Sequence, residues 1–209
     1  MYTELNIDKW ARKDHFHFFR KFEEPFFGIT VEMDCTETYE MAKKSGASFF
    51  LTYLHQALKA ANEVEPFRYR IAGEEIRIYD KIDASPTIDR PDGTFGFSYM
   101  TYHEDFDVFY SAAQKEIQRI RQSSGLDPAV SGQNVIHFSA LPWINFTSIS
   151  HARSFSFEDS CPKISMGKMT LKNQRRVMPV AVYAHHALVD GIHVSKFLEK
   201  YQNYLGGHK

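Results

Sequence analysis

With 209 residues, 43% apolar content and a formal net charge of −1, the chain is long enough for one well-buried core and short for two. Its lysines and arginines are scattered, which excludes the strongly basic surface of a nucleic-acid binder. No charged-apolar-small leader is visible, nor any apolar run near the roughly 18 residues of a membrane span. The expectation is therefore a single soluble domain over residues 1–209, cytoplasmic and acting on small molecules rather than on membranes or nucleic acid. Cys35 and Cys161 lack metal-type spacing and read as free thiols of a reducing compartment.

Met1 to Asp8 carries little signal, whereas Trp10 to Phe19 packs aromatics between charges and predicts a short helix or turn laid on another element. Phe26–Met33 alternates loosely and predicts a strand. Asp34 and Glu37 then fit a capping pair for a helix ending before Gly46. Ser48 is placed to cap a second helix whose face is Phe50, Leu54, Ala57, Leu58 and Ala61, with Pro66 ending it. Arg68–Ile71 and Glu75–Tyr79 around Ala72-Gly73-Glu74 predict a hairpin. Ser85 to Gly96 is rich in Pro and Gly and reads as loop at both ends of a short strand.

A third amphipathic helix is predicted from about Glu104 to Gln122, after which Gly125, Pro128 and Gly132 break the chain. Val135–Ala140, Ile144–Ile149 and Ile164–Met169 read as strands, as does the Val-rich run Val177–Ala184. Ile192–Leu205 closes the chain with a helical stripe at 194, 197, 198, 201 and 205. Helices are thus expected mainly in the first half and strands in the second. The pattern predicts an α/β fold, a two-layer sandwich of one mixed β-sheet with helices packed on one face.

The chemistry concentrates in His185-His186-Ala187-Leu188-Val189-Asp190-Gly191, where a buried strand ends in two adjacent histidines and Asp-Gly turns the chain. Three readings stand at this point. His186 can be a general base, because neutral imidazole titrates close to neutral pH and can take and return the proton of a hydroxyl. His185, His186, Asp190 and His193 can be metal ligands. That reading is weakened because adjacent strand residues point to opposite faces. Or the histidines simply bond backbone at a strand end.

The string His-His-Ala-Leu-Val-Asp-Gly closely resembles the active-site signature of the chloramphenicol acetyltransferase family. Its looser form, His-x-x-x-Asp-Gly, is shared with 2-oxoacid dehydrogenase acyltransferase cores and peptide-synthetase condensation domains. Other blocks narrow the resemblance to the first. Trp10 to Phe16 is similar to the family's Trp-x-Arg-x-x-His-Phe, Glu65-Pro66-Phe67-Arg68 to its Pro-Glu-Phe-Arg, Pro142 to Ser148 to its Pro-Trp-x-x-Phe-x-Ser, and Ser165-Met166-Gly167-Lys168 to its Thr-Met-(Ala/Gly)-Lys. Their order and the overall length agree, so the resemblance covers essentially the whole chain.

The resemblance implies the CoA-dependent acyltransferase fold and direct transfer of acetyl from acetyl-CoA, as co-substrate, to a hydroxylated small-molecule acceptor, with no metal. It implies His186 as catalytic base and Ser148 as hydrogen-bond donor to the oxyanion. Asp190 pairs with Arg12 in a supporting role, Ser165 holds an active-site water, Lys168 lies near the CoA channel, and the molecule is a homotrimer with His186 facing Ser148 of a neighbour. Phe18 and Phe19 fall in the acceptor pocket. Phe19 replaces a tyrosine there, and Asp89 and Ser160 to Lys163 replace apolar or aromatic residues. An acceptor other than chloramphenicol is the alternative within the class. A non-catalytic trimeric binding module of the same fold and a metal-dependent hydrolase are the alternatives outside it.

Overall fold

The computed structural model describes residues 1–126, 132–153 and 158–207, so the expected chain break at Pro128 lies outside the described residues. In order, the elements are β1 (Tyr2–Glu4), α1 (Lys13–Phe19), β2 (Phe26–Asp34), α2 (Thr36–Ser45), α3 (Phe49–Asn62), β3 (Tyr69–Ala72), β4 (Glu75–Tyr79), β5 (Asp83–Asp89), β6 (Phe95–Phe97), α4 (Phe106–Gln122), β7 (Val135–Leu141), β8 (Lys163–Gly167), β9 (Thr170–Lys172), β10 (Arg175–His185) and α5 (Gly191–Leu205). The main sheet runs β2-β10-β8-β7-β5-β6, with β9 paired to β10, and a small sheet runs β1-β4-β3. The main sheet is mixed: β7 is parallel to β5 and β8, while β10 is antiparallel to β2, β8 and β9.

The core lies between this sheet and the helices. Val180 and Val182 of β10, Ile164 and Met166 of β8, and Ile136 and Phe138 of β7 are buried against Leu54 and Leu58 of α3 and Phe197 and Tyr201 of α5. Burial of each such side chain contributes on the order of 1.5–3 kcal/mol. Strand side chains alternate in direction, so the intervening residues occupy the other face. There the register aligns Tyr183, Lys163, His137 and Ser85 in one row across four strands. That face is polar where the first is apolar.

Local rules account for most boundaries. Ser48 caps α3 by accepting the Leu51 N–H, and Asp105 caps α4 by accepting the Val108 N–H. Gly46 ends α2 in the left-handed region at φ 74°, where a Cβ is disfavoured. Four expectations are corrected. Residues 144–149 are not a strand: Pro142 has no N–H to continue the ladder, the Ile144 N–H turns back to the Leu141 carbonyl, and Trp143 and Ile144 are exposed. Strands are not concentrated in the second half, since β1 to β6 precede α4. The strand expected inside 85–96 starts earlier, at Asp83, and contains Pro86, whose carbonyl accepts the Ser98 N–H. Cys35, not Asp34, occupies the N-cap of α2, and Asp34 supports that turn by accepting from the Thr36 N–H and hydroxyl.

Candidate active site

β10 ends at His185, and its two histidines part company there. His185 is buried edge-on to Phe26 at 5.2 Å, and burial, helped by the charges of Arg153 and Lys163, pushes its imidazole down to about 4. The His186 ring stacks on Phe19 with centroids 4.0 Å apart and rings 15° from parallel, and lies 4.6 Å from Phe27. Its Nδ1 is 3.3 Å from the Val189 carbonyl oxygen. A carbonyl can only accept, so Nδ1 is the donor, and in the neutral ring Nε2 is the nitrogen with the lone pair. The backbone is also held, because the His186 N–H donates to the Pro25 carbonyl at 2.8 Å.

Asp190 is the N-cap of α5. Its Oδ1 accepts the Gly191 N–H at 2.8 Å, and its own N–H donates to His193 Nδ1 at 2.9 Å. Its Oδ2 accepts from Arg12 Nη1 at 2.7 Å, while Arg12 Nη2 donates to the His186 carbonyl at 2.9 Å. The guanidinium fork is thus divided rather than bidentate on the carboxylate. One arm takes the cap residue, and the other takes the main chain of His186. Burial works to raise the Asp190 carboxyl, but the bonds from Arg12 and Gly191, with the charge of Arg12, hold it below the usual carboxylate range. Burial, with the Arg12 charge, keeps the His193 imidazole below its usual value, which suits an Nδ1 that must accept. His185, His186, Asp190 and His193 do not form a metal cluster among the described residues.

Ser148 lies in the irregular segment after β7, is exposed, and its hydroxyl makes no hydrogen bond among the described residues, to His186 or otherwise. This segment sits on the polar face of the sheet. The Tyr183 hydroxyl donates to the Ile149 carbonyl, the Lys168 N–H donates to the Ile144 carbonyl at 2.8 Å, and Ser165 Oγ is 3.3 Å from His151 Nε2. Gly28 makes room for this arrangement: a Cβ there would stand 2.5 Å from the Tyr183 ring. Phe18, Phe19 and Phe22 form one aromatic cluster, with Phe18 60% and Phe22 44% exposed. Lys168 is exposed.

Sequence reasoning missed His151 and His137 on the polar face, which they share with Lys163 of the stretch set against the acceptor pocket. The alternation Val135-Ile136-His137-Phe138-Ser139 carried the signal for His137, being apolar toward the helices and polar away from them. No helix among the described residues is long and apolar enough to cross a membrane.

This arrangement of sheet, helices and terminal His-Asp turn defines an acyltransferase-type fold. The catalytic dihydrolipoamide acetyltransferase of Azotobacter vinelandii superposes with a TM-score of 0.68 over 92% of this chain and 85% of its own, at 16% identity. The chain belongs to the chloramphenicol acetyltransferase family, whose profile matches residues 1–202. A solved chloramphenicol acetyltransferase superposes with a TM-score of 0.90 at 36% identity, covering 98% of this chain and 100% of its own. Chloramphenicol acetyltransferase 3 of Escherichia coli is 28% identical over 203 residues, 96% of this chain and 95% of that protein. Members of the family are enzymes that use acetyl-CoA as co-substrate.

Proposed function

We propose that the protein is an acetyl-CoA-dependent O-acetyltransferase of the chloramphenicol acetyltransferase type, transferring acetyl directly to the hydroxyl of a small-molecule acceptor. The observation that carries this reading is the His186 ring, fixed by Phe19, Phe27 and the Nδ1–H bond to Val189 with Nε2 left free. His186 Nε2 takes the proton of the acceptor hydroxyl as that oxygen attacks the thioester carbonyl carbon. The C–S bond then breaks, and the departing CoA sulfur recovers the proton from His186. A base placed in this way typically contributes about 10²- to 10⁴-fold.

Ser148 donates to the oxyanion, which fits an exposed hydroxyl without an intramolecular partner. The chains assemble as a homotrimer in which Ser148 of one protomer meets His186 of its neighbour. Arg12 and Asp190 hold the turn that presents His186. Ser165 orders a water together with His151, Phe18 and Phe19 face the acceptor, and Lys168 lies along the CoA channel. An acceptor other than chloramphenicol is favoured by one observation: Lys163 and His137 share one row on the face that also carries Ser165, and buried polar groups disfavour an apolar ligand.

The test is thiol release from acetyl-CoA with chloramphenicol and a panel of other alcohols, comparing wild type with His186→Ala and Ser148→Ala. Wild-type turnover surviving in His186→Ala refutes the mechanism. Turnover with another alcohol but not chloramphenicol reassigns only the acceptor. No turnover with any alcohol points to the non-catalytic trimeric module, and loss of turnover on chelation points to a metal-dependent hydrolase.

A further inference from the structure

A second group of reactive side chains lies on the polar face of the sheet, and no proton or acyl step of the proposed acetyl transfer passes through it. We propose that His137, Asp159 and Cys161 form a binding site for a zinc-class divalent cation. His137 is on β7, and Asp159 and Cys161 are on the segment leading into β8. One imidazole nitrogen, one carboxylate oxygen and the thiol sulfur all lie within 4.8 Å of one another. Nitrogen, oxygen and sulfur donors together are the set that zinc accepts, and three protein ligands with a water as fourth is a common zinc arrangement.

Each donor has capacity to spare. Neither ring nitrogen of His137 has a hydrogen-bond partner among the described residues. Among the described residues the Cys161 thiol meets the Gln133 carbonyl, at 3.5 Å, and the Arg70 guanidinium. Asp159 accepts the Cys161 N–H at 2.9 Å through one oxygen and the Lys163 ammonium through the other. A carboxylate offers about four lone-pair sites, so these two bonds leave room for an ion. Ligating carboxylates and thiolates commonly keep such outer hydrogen bonds.

The decisive question is charge, because Lys163 pairs with Asp159, and burial pushes the Cys161 thiol up while the buried Arg70 guanidinium works the other way. A bare dication beside two cations is unfavourable. The ion therefore enters only as Cys161 loses its proton: one dication, one thiolate, one carboxylate and a neutral imidazole sum to zero, and Lys163 and Arg70 then face a neutral unit. Tetrahedral ligand atoms around zinc stand roughly 3.5 Å apart, given bonds of about 2.0–2.3 Å. The cluster consequently closes by about 1 Å, a movement available to Asp159 and Cys161 because they precede β8 in irregular chain.

The experiment titrates the reduced, chelator-treated full chain with Co²⁺ and then Zn²⁺. Expected are one ion per chain, about one proton released per ion, a near-ultraviolet thiolate-to-cobalt band, and loss of that band on adding Zn²⁺. Cys161→Ser removes the band and His137→Gln weakens binding by roughly tenfold or more. Cys35→Ala, at the other of the two cysteines, retains both band and affinity. No thiolate band in the wild type, or a band that survives in Cys161→Ser, overturns the proposal. Alkylation of the wild-type protein followed by mass spectrometry reads the same site without a variant. Zn²⁺ must slow modification of Cys161 and leave Cys35 unaffected, and an unprotected Cys161 also overturns the site.

Discussion

Asp190→Asn is nearly isosteric, and Asn is itself a good helix N-cap, yet the structure makes this change costly. Both carboxylate oxygens are used, Oδ1 by the Gly191 N–H and Oδ2 by Arg12. An asparagine has one oxygen, so either the cap or the arginine loses its acceptor and meets an NH₂ group instead. A hydrogen bond to a charged group contributes about 1.5–3 kcal/mol. The Asp190 side chain is 41% exposed, which places the loss near the lower end, about 1.5–2 kcal/mol. For a chain of this size that lowers the Tm by roughly 3–8 °C.

The pH dependence separates this account from a general loosening. The native Asp190 carboxyl is held below its usual value of 3.8, so its contribution is fully present above that value and is lost as the pH falls through the lower native one. The Tm gap between wild type and variant should therefore be constant near neutrality and narrow in acid. Arg12 freed from Asp190 also releases the His186 carbonyl, and the proposed base loses its placement. Activity should fall by about ten- to a hundredfold, mostly in kcat. Thermal melts across pH and thiol-release kinetics on the purified variant read both effects. An unchanged Tm with unchanged kinetics refutes the reasoning, as does a Tm gap that widens in acid.

Other outcomes follow from the same geometry. His186→Ala should reduce turnover by about 10²- to 10⁴-fold and Ser148→Ala by about 10²- to 10³-fold with little change in Tm, measured by thiol release. Gly28→Ala should cost about 1–3 kcal/mol by driving the Tyr183 ring from its place and detaching Ile149. Denaturant melts should then show a less than additive loss for Gly28→Ala combined with Tyr183→Ala. His193 sits below its usual imidazole value of 6.5, so its share of stability is present above that pH and declines as the pH falls through the native value. His193→Gln, which offers the Asp190 N–H an acceptor that does not titrate, should flatten the decline in Tm as the pH falls below about 6.5.

Elements whose register or cap is written locally were legible in the sequence. Val177–Ala184 falls within β10, and Ser48 caps α3 as its position suggested, because alternation and capping depend on residues a few positions apart. The segment 144–149 misled because its Ile-Asn-Phe-Thr-Ser-Ile alternation mimics a strand. Pro142 and the return bond from Ile144 to Leu141 prevent pairing there, and pairing is a tertiary matter. The start of strand β5 was hidden by Pro86, which sequence rules push toward loops although its carbonyl is satisfied by Ser98. At the site, the family resemblance pointed to His186, Arg12 and Asp190 together. The division of the Arg12 fork between a carboxylate and a main-chain carbonyl needed coordinates. The meeting of His137, Asp159 and Cys161 across 24 residues of sequence left no spacing signature, because sheet register brings them together rather than a loop.

Strand β10 has a neighbour on each side: β2 along Val177 to His185, and β8 along Val180 to Tyr183. This makes the strand a counting device with a parity. Side chains repeat every two residues, so deletion of one residue between Val180 and His185 would turn His186 into the buried position of His185 and send its predecessor outward. A two-residue deletion would preserve the facing but shorten the reach of the turn to Arg12. Length variation in this protein should therefore be tolerated at the Asn173-Gln174 end of β10 and forbidden along its paired run.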